Sequence, residues 1–299
     1  MLEISNLNKS FGKKNVLKDV NLKVDEMSIY GLIGYNGAGK TTLLKIIAGV
    51  YSKDSGEIKL CGEDLNDNEK MKQKLFYMPD DLYFRTGTTM LGMAKFYAGY
   101  YPNFDMNTFR KLSELFGLNI KARVSGFSKG MKRQAEIILG LSAKPDLLLL
   151  DESFDGLDPA KRNLAKKLLL EFMVERNASV IISSHNLKEL TDMCDHLALM
   201  NGNKISFDVS VDEISDQRFK IRLIFAEDVS DDTLSAVGIS KIERDGKIIT
   251  AKIETNAEQI IKDIEEMQPI LFEKIPLTLE EIFLEEMEDK SYDLKEIFA

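Results

Sequence analysis

The chain is 299 residues long, 44% hydrophobic and 30% charged, with a formal net charge of −9. It has enough material for one large α/β domain and a smaller appendage, and its acidic balance argues against sequence-independent nucleic-acid binding. No apolar run reaches the roughly 18 residues of a membrane-spanning helix, because Ile137–Leu150 is broken by Lys144, Pro145 and Asp146.

In chain order, Met1-Leu2-Glu3-Ile4-Ser5 lacks the basic start and long apolar stretch of a secretory signal. The apolar run Ile29-Tyr30-Gly31-Leu32-Ile33 reads as a strand and leads into the first motif. Gly34-Tyr35-Asn36-Gly37-Ala38-Gly39-Lys40-Thr41-Thr42 has the phosphate-loop form G-x-x-x-x-G-K-[ST], and Leu43 to Ala48 suits a helix. Glycines let such a backbone turn tightly and aim its N–H groups at phosphate oxygens. The new helix adds the positive end of its dipole. Lys40 then reaches the β- and γ-phosphates, and the Thr41 hydroxyl reaches a Mg²⁺ ion. The pattern points to a bound nucleoside triphosphate.

Leu75-Phe76-Tyr77-Met78-Pro79 reads as a strand followed by Asp80 and Asp81, and the segment Phe76 to Phe104 is rich in aromatics. Phe96/Tyr100 and Tyr97/Tyr101 are four residues apart, hence on one helix face. Gly126-Phe127-Ser128-Lys129-Gly130-Met131-Lys132-Arg133-Gln134 leads into an amphipathic helix, Ala135 to Leu141. Ser128 suits an N-cap, and Gly130 would leave the helix start open to an anion.

Leu147-Leu148-Leu149-Leu150 reads as a strand buried on both faces of a parallel sheet. Asp151 and Glu152 stand at its carboxyl end, where open α/β sheets hold ligands. Asp151 suits a Mg²⁺ ligand acting through water, and Glu152 a general base that polarises an attacking water. Asp155-Gly156-Leu157-Asp158-Pro159 follows, then the β-rich run Ser179-Val180-Ile181-Ile182-Ser183 and Ser184-His185. A histidine just past a buried strand end is placed to touch a γ-phosphate.

A hairpin is expected over His196–Phe207, with Asn201-Gly202 as its tight turn. Beyond it, Gln217–Phe225, Ile239–Arg244, Lys247–Ile253 and Ile270–Ile275 read as strands. Asp231–Ala236, Ala257–Met267 and an acidic stretch, Leu277–Met287, read as helices, and Glu285–Lys290 as a solvated face. The order β-α-β-β-α-β-α suggests a small split sandwich with helices on one face. Nothing in it looks catalytic; dimer contact, regulation and a stabilising cap all fit. Cys61 and Cys194 lack metal-site or redox-motif spacing, as expected of thiols in a reducing compartment.

These motifs, in this order, resemble the nucleotide-binding domain of ATP-binding cassette (ABC) proteins over roughly residues 1–215. The resemblance implies an α/β P-loop NTPase core with an antiparallel β subdomain and a helical subdomain over about 82–142. Residues 216–299 would form the small α+β domain. It further implies a head-to-tail dimer, identical or not, with two ATP molecules sandwiched between the protomers. Each ATP would be held by one protomer's phosphate loop, Tyr35, Asn36, Gly37, Ala38, Gly39, Lys40, Thr41 and Thr42, and by the other's Ser128–Gly130 segment. Lys40, Thr41 and Thr42 would hold phosphates and Mg²⁺, with Asp151 as the metal-side carboxylate and Glu152 as the base. His185 would sense the γ-phosphate, and Asp158 would link the two sites. Phe11 falls where the family stacks an aromatic on adenine; an apolar contact among the amino-terminal strands is the competing reading.

Two positions depart from the family pattern. Lys129 and Met131 replace a glycine and a glutamine, and the form Ser-Lys-Gly-Met-Lys looks like a subgroup of single-domain exporters. Asp80 stands where the family usually has a glutamine touching Mg²⁺ and the lytic water. A carboxylate there is charged and shorter, and reads either as a ligand acting through water or as an acidic turn. The resemblance implies an ATPase subunit, cytoplasmic and peripheral on the membrane, that powers a separate permease exporting a drug, peptide or lipid-like cargo. Some of the aromatics after Phe76 would then receive a short helix of that permease; the alternative is that they form the helical subdomain's core. The alternative function is a non-transport ABC switch acting on nucleic acid or a protein complex. A single cassette, with no room for a coiled coil between Gly39 and Asp151, favours transport, and no nucleic-acid partner is expected.

Overall fold

The computed structural model describes residues 1–211, 219–253, 257–277 and 281. The chain divides into two compact units, Met1–Asp208 and Val209–Ala299. In the first, β1 (Leu2–Phe11), β2 (Lys14–Val24), β4 (Ser55–Leu60) and β5 (Glu63–Asp64) form an antiparallel sheet in the order β2-β1-β4-β5. Leu17, Val20, Leu22 and Val24 of β2 are buried while the residues between them are exposed, as expected where one sheet face meets a core.

The second sheet has the order β10-β9-β3-β8-β7-β6. Its strands are β3 (Ile29–Ile33), β6 (Leu75–Met78), β7 (Leu147–Asp151), β8 (Ser179–Ser184), β9 (His196–Asn201) and β10 (Lys204–Ser210). The pairs β9–β3, β3–β8, β8–β7 and β7–β6 are all parallel. Every residue of β3, β7 and β8 is buried, which accounts for their unbroken apolar runs. The turn from β9 to β10 has positive φ at Gly202 (58°) and Asn203 (91°). A two-residue turn with positive φ at both central positions matches the twist of its strands, so it sits one residue later than Asn201-Gly202 suggests.

The helices of this unit are α1 (Lys40–Ile47), α2 (Glu69–Lys72), α3 (Met90–Ala98), α4 (Met106–Phe116), α5 (Lys129–Ala143), α6 (Pro159–Arg176) and α7 (Leu187–Thr191). The amphipathic reading of α5 is corrected: every residue from Arg133 to Ala143 is buried. The helix is packed against α3, α4, α6 and β6 and so has no solvent face there. Among the described residues no helix is long and apolar enough to cross a membrane.

The second unit contains β11 (Phe219–Ile224), α8 (Asp231–Ala236), β12 (Ser240–Asp245), β13 (Ile248–Ile253), α9 (Ala257–Glu266) and β14 (Leu271–Pro276). Its sheet is antiparallel with the order β12-β13-β11-β14. This is the β-α-β-β-α-β arrangement of ferredoxin-like domains. Phe219, Ile221 and Leu223 alternate inward to meet Leu234 of α8 and Ile260 and Ile264 of α9 in one core. Of the acidic helix expected over Leu277–Met287, only Leu277 and Glu281 are described; Gln217, Arg218 and the stretch 285–290 lie outside the described residues.

Candidate functional site

Four neighbouring parallel strands, β3, β8, β7 and β6, end at one edge of the large sheet, the place where open α/β sheets hold ligands. β3 runs through the glycine-rich loop into α1. β7 ends in Asp151 and is followed by Glu152, β8 is followed by His185, and β6 by Pro79 and Asp80. Phe11, Asn36 to Thr42, Asp80 and Glu152 line a common cleft.

The loop is tight for a steric reason. Gly39 caps α1 with φ 108°. A Cβ there would lie 3.0 Å from both the Leu17 side chain and the Val16 carbonyl oxygen, so glycine alone suits this left-handed, crowded position. The Tyr35 carbonyl accepts from Ala38 N at 3.1 Å, and the half-exposed Tyr35 hydroxyl accepts from Gly202 N at 3.1 Å. The loop is thereby tied to the β9–β10 turn.

Lys40 is buried; its ammonium donates to the Gly34 carbonyl at 2.6 Å and lies 3.7 Å from Oε1 of Glu152. Burial lowers the Lys40 pKa, opposed by the Glu152 and Asp151 charges. Burial likewise raises that of Glu152, opposed by Lys40 and His185. Desolvation thus favours neutral forms of both groups while their pairing resists it. Glu152 adopts φ 49°, a conformation uncommon for a side chain of this kind and concentrated at functional sites. Its Oε2 lies 3.0 Å from Nδ1 of His185, which is itself 54% exposed.

Asp151 is fully buried, and a buried carboxylate needs partners for its oxygens. Three hydroxyls provide them. Thr41 and Ser183 donate to Oδ1 at 3.1 and 2.6 Å, and Tyr77 donates to Oδ2 at 3.1 Å. The Thr41 and Asp151 donors are all oxygen, the chemistry that suits a hard cation such as Mg²⁺. Sequence reasoning did not single out Tyr77 or Ser183. The available signal was a hydroxyl side chain next to last in each strand, Tyr77 in β6 and Ser183 in β8.

Asp80 reaches the cleft in the company of an unforeseen residue. Arg133, 0% exposed, donates to the carbonyls of Pro79 (2.7 Å) and Asp80 (3.2 Å) and to Oδ1 of Asp80 (3.3 Å). It also donates to Glu136 at 3.2 Å. The guanidinium therefore fastens α5 to the loop after β6 and partly neutralises Asp80. Burial pushes the Glu136 carboxyl up to about 8 despite the Arg133 charge beside it. A carboxyl raised in the folded state contributes stability below its unfolded pKa that is lost as pH rises through the folded value. Glu136→Gln should therefore match the wild-type chain near pH 4.5 and gain on it progressively up to pH 8, by several degrees in thermal melts.

Ser128, Gly130 and Asp158 do not line this cleft. Ser128 is exposed and caps α5, accepting from Met131 N at 3.2 Å. Asp158 caps α6, accepting from Lys161 N at 2.9 Å. At Gly130 a Cβ would stand 2.7 Å from the Gly156 carbonyl oxygen. The close approach is used within the chain, packing the start of α5 on the loop after Glu152. Phe11 is 46% exposed at the cleft rim, with its ring edge-on to Tyr51 at 5.5 Å, so it both lines the cleft and packs on a neighbour.

Comparison with known proteins agrees with this geometry. The ABC transporter family model matches residues 17–155. The ABC transporter ATP-binding protein YtrB of Bacillus subtilis (strain 168) is 30% identical over 284 residues, covering 95% of this chain and 97% of YtrB. The lantibiotic transport ATP-binding protein SrtF of Streptococcus pyogenes is 33% identical over 237 residues, covering 75% of this chain and 98% of SrtF. A solved ATP-binding subunit of an ABC transporter superposes with a TM-score of 0.65 at 30% identity, over 73% of this chain and 92% of that one. With a phosphate loop, a buried carboxylate and a glutamate–histidine pair on one sheet edge, the chain belongs to the ATP-binding proteins of ABC transporters.

Proposed function

We propose that the chain is the ATP-hydrolysing subunit of an exporter and works as a head-to-tail dimer beneath a separate membrane permease. One observation carries the dimer. Ser128 and Gly130 do not line the cleft of their own chain, although Ser128 is exposed at the start of a 15-residue helix. In this reading they serve the cleft of a second copy, where the helix start favours a γ-phosphate. Asp158, exposed at the start of α6, lies in the loop that Gly130 touches and would link the two sites.

Within one cleft, Lys40, Thr41 and Thr42 hold phosphates while the loop N–H groups surround them. Magnesium, held by Thr41 and Asp151, would supply neutralising charge to the phosphate oxygens. Asp80 faces the same region with its charge partly met by Arg133 and acts there through water. Glu152 accepts a proton from the attacking water. His185, bonded to Glu152, orients that carboxylate and responds to the γ-phosphate. Phe11 offers its ring to adenine.

A groove lined by Leu75, Tyr77, Phe96, Tyr97, Tyr100 and Tyr101 suits a short helix of the permease, since tyrosine and phenylalanine serve well as interface anchors. The permease would hold the chain at the inner face of the membrane. The Ser-Lys-Gly-Met-Lys signature and the lantibiotic transport named for SrtF favour export. The ferredoxin-like unit serves dimer contact or regulation. Purification of the tagged chain from detergent-solubilised membranes should bring down, in constant ratio, a protein with several apolar spans of about 20 residues. Recovery of ribosomal or other nucleic-acid complexes instead would contradict the transport reading.

A further inference from the structure

Tyr77 stands in two places at once. It is one of the residues lining the groove that also holds Tyr97, Tyr100 and Tyr101, and its hydroxyl donates to Oδ2 of Asp151 at 3.1 Å. The strand register makes this possible: Tyr77 of β6 pairs with Leu149 of β7, two residues before Asp151. Thr41 and Ser183 both donate to Oδ1, so Tyr77 holds the opposite oxygen and with it the rotation of the carboxylate. A phenol hydroxyl facing a carboxylate oxygen has only one way to bond to it, by donating its proton. Among the described groove tyrosines, Tyr101 uses its hydroxyl differently, donating to the Leu75 carbonyl at 3.2 Å.

We propose that Tyr77 is a positioning residue, which fixes the rotation of the Asp151 carboxylate for the metal. The inference rests on the reading of Asp151 as the metal-side carboxylate.

The test is a titration of the full chain with a fluorescent ATP analogue, in MgCl₂ and in EDTA, which reads how much Mg²⁺ tightens binding. Tyr77→Phe keeps the ring and its packing and removes only the hydroxyl. It should cut the Mg²⁺-dependent gain in affinity by roughly fivefold or more while affinity in EDTA stays within about twofold. Tyr101→Phe loses a comparable hydrogen bond to the same strand and should keep the full gain. Asp151→Asn should lose the gain altogether. An unchanged gain in Tyr77→Phe alongside a lost gain in Asp151→Asn overturns the Tyr77 inference and leaves the metal reading standing. An equal loss in Tyr101→Phe overturns it too, because general loosening of β6 would then explain the effect. A gain retained by Asp151→Asn removes the metal reading itself, and the inference with it.

Discussion

Glu152→Gln is expected to lower ATP turnover by at least about a hundredfold while leaving ATP binding intact, since general-base catalysis contributes on that scale. Glutamine keeps the size of the side chain and an oxygen within reach of His185, but it has no lone pair basic enough to take the proton of water. The position of Glu152 favours this role over a purely electrostatic one. Its pKa is raised, chiefly by burial, against the pull of Lys40 and His185, which makes it a stronger base than an exposed carboxylate. The contact with His185 at 3.0 Å sets the direction of the carboxylate, so His185→Ala should also slow turnover, by less. Steady-state phosphate release with parallel nucleotide titration checks both effects. A Glu152→Gln variant with wild-type turnover would remove the base assignment.

Lys40→Ala should weaken ATP binding itself by roughly tenfold to a hundredfold, because hydrogen bonds to charged groups contribute about 1.5–3 kcal/mol. The ammonium is buried and is already held at the phosphate loop by the Gly34 carbonyl at 2.6 Å. It therefore meets phosphate without first being ordered, and burial lowers the cost of giving up water. The substitution also leaves Glu152 without its cationic neighbour at 3.7 Å, so its carboxyl should be displaced further upward, and the acid limb of the pH–rate profile with it. Equilibrium titration with a labelled nucleotide tests the first effect. Unchanged affinity would contradict the phosphate cradle.

The parts of the site that were legible in the sequence are those whose chemistry is local. The phosphate loop is nine consecutive residues, with its strand before and its helix after, and Asp151 and Glu152 directly follow four buried leucines. What the sequence left hidden depends on strand neighbours far apart in the chain. Tyr77 meets Asp151 across 74 residues and Ser183 meets it across 32. Arg133 meets Asp80 across 53 residues, and nothing near Arg133 in sequence marks it as buried. The contact of Gly130 with the Gly156 carbonyl was hidden for the same reason, since nothing local places that loop against the start of α5. In the second unit the succession of strands and helices was readable. The placement of β11 between β13 and β14 was not, since register between distant strands is set by which faces meet in the core.

In the proposed dimer, ATP is gripped between two copies, one contributing its phosphate loop and the other its Ser128 segment. Sedimentation velocity of Glu152→Gln with saturating MgATP measures this directly. The expected result is a species of twice the single-chain mass that reverts to single chains when ADP replaces ATP. A sedimentation profile of single chains under both nucleotides, with the permease supplied as well as without it, would contradict the claim.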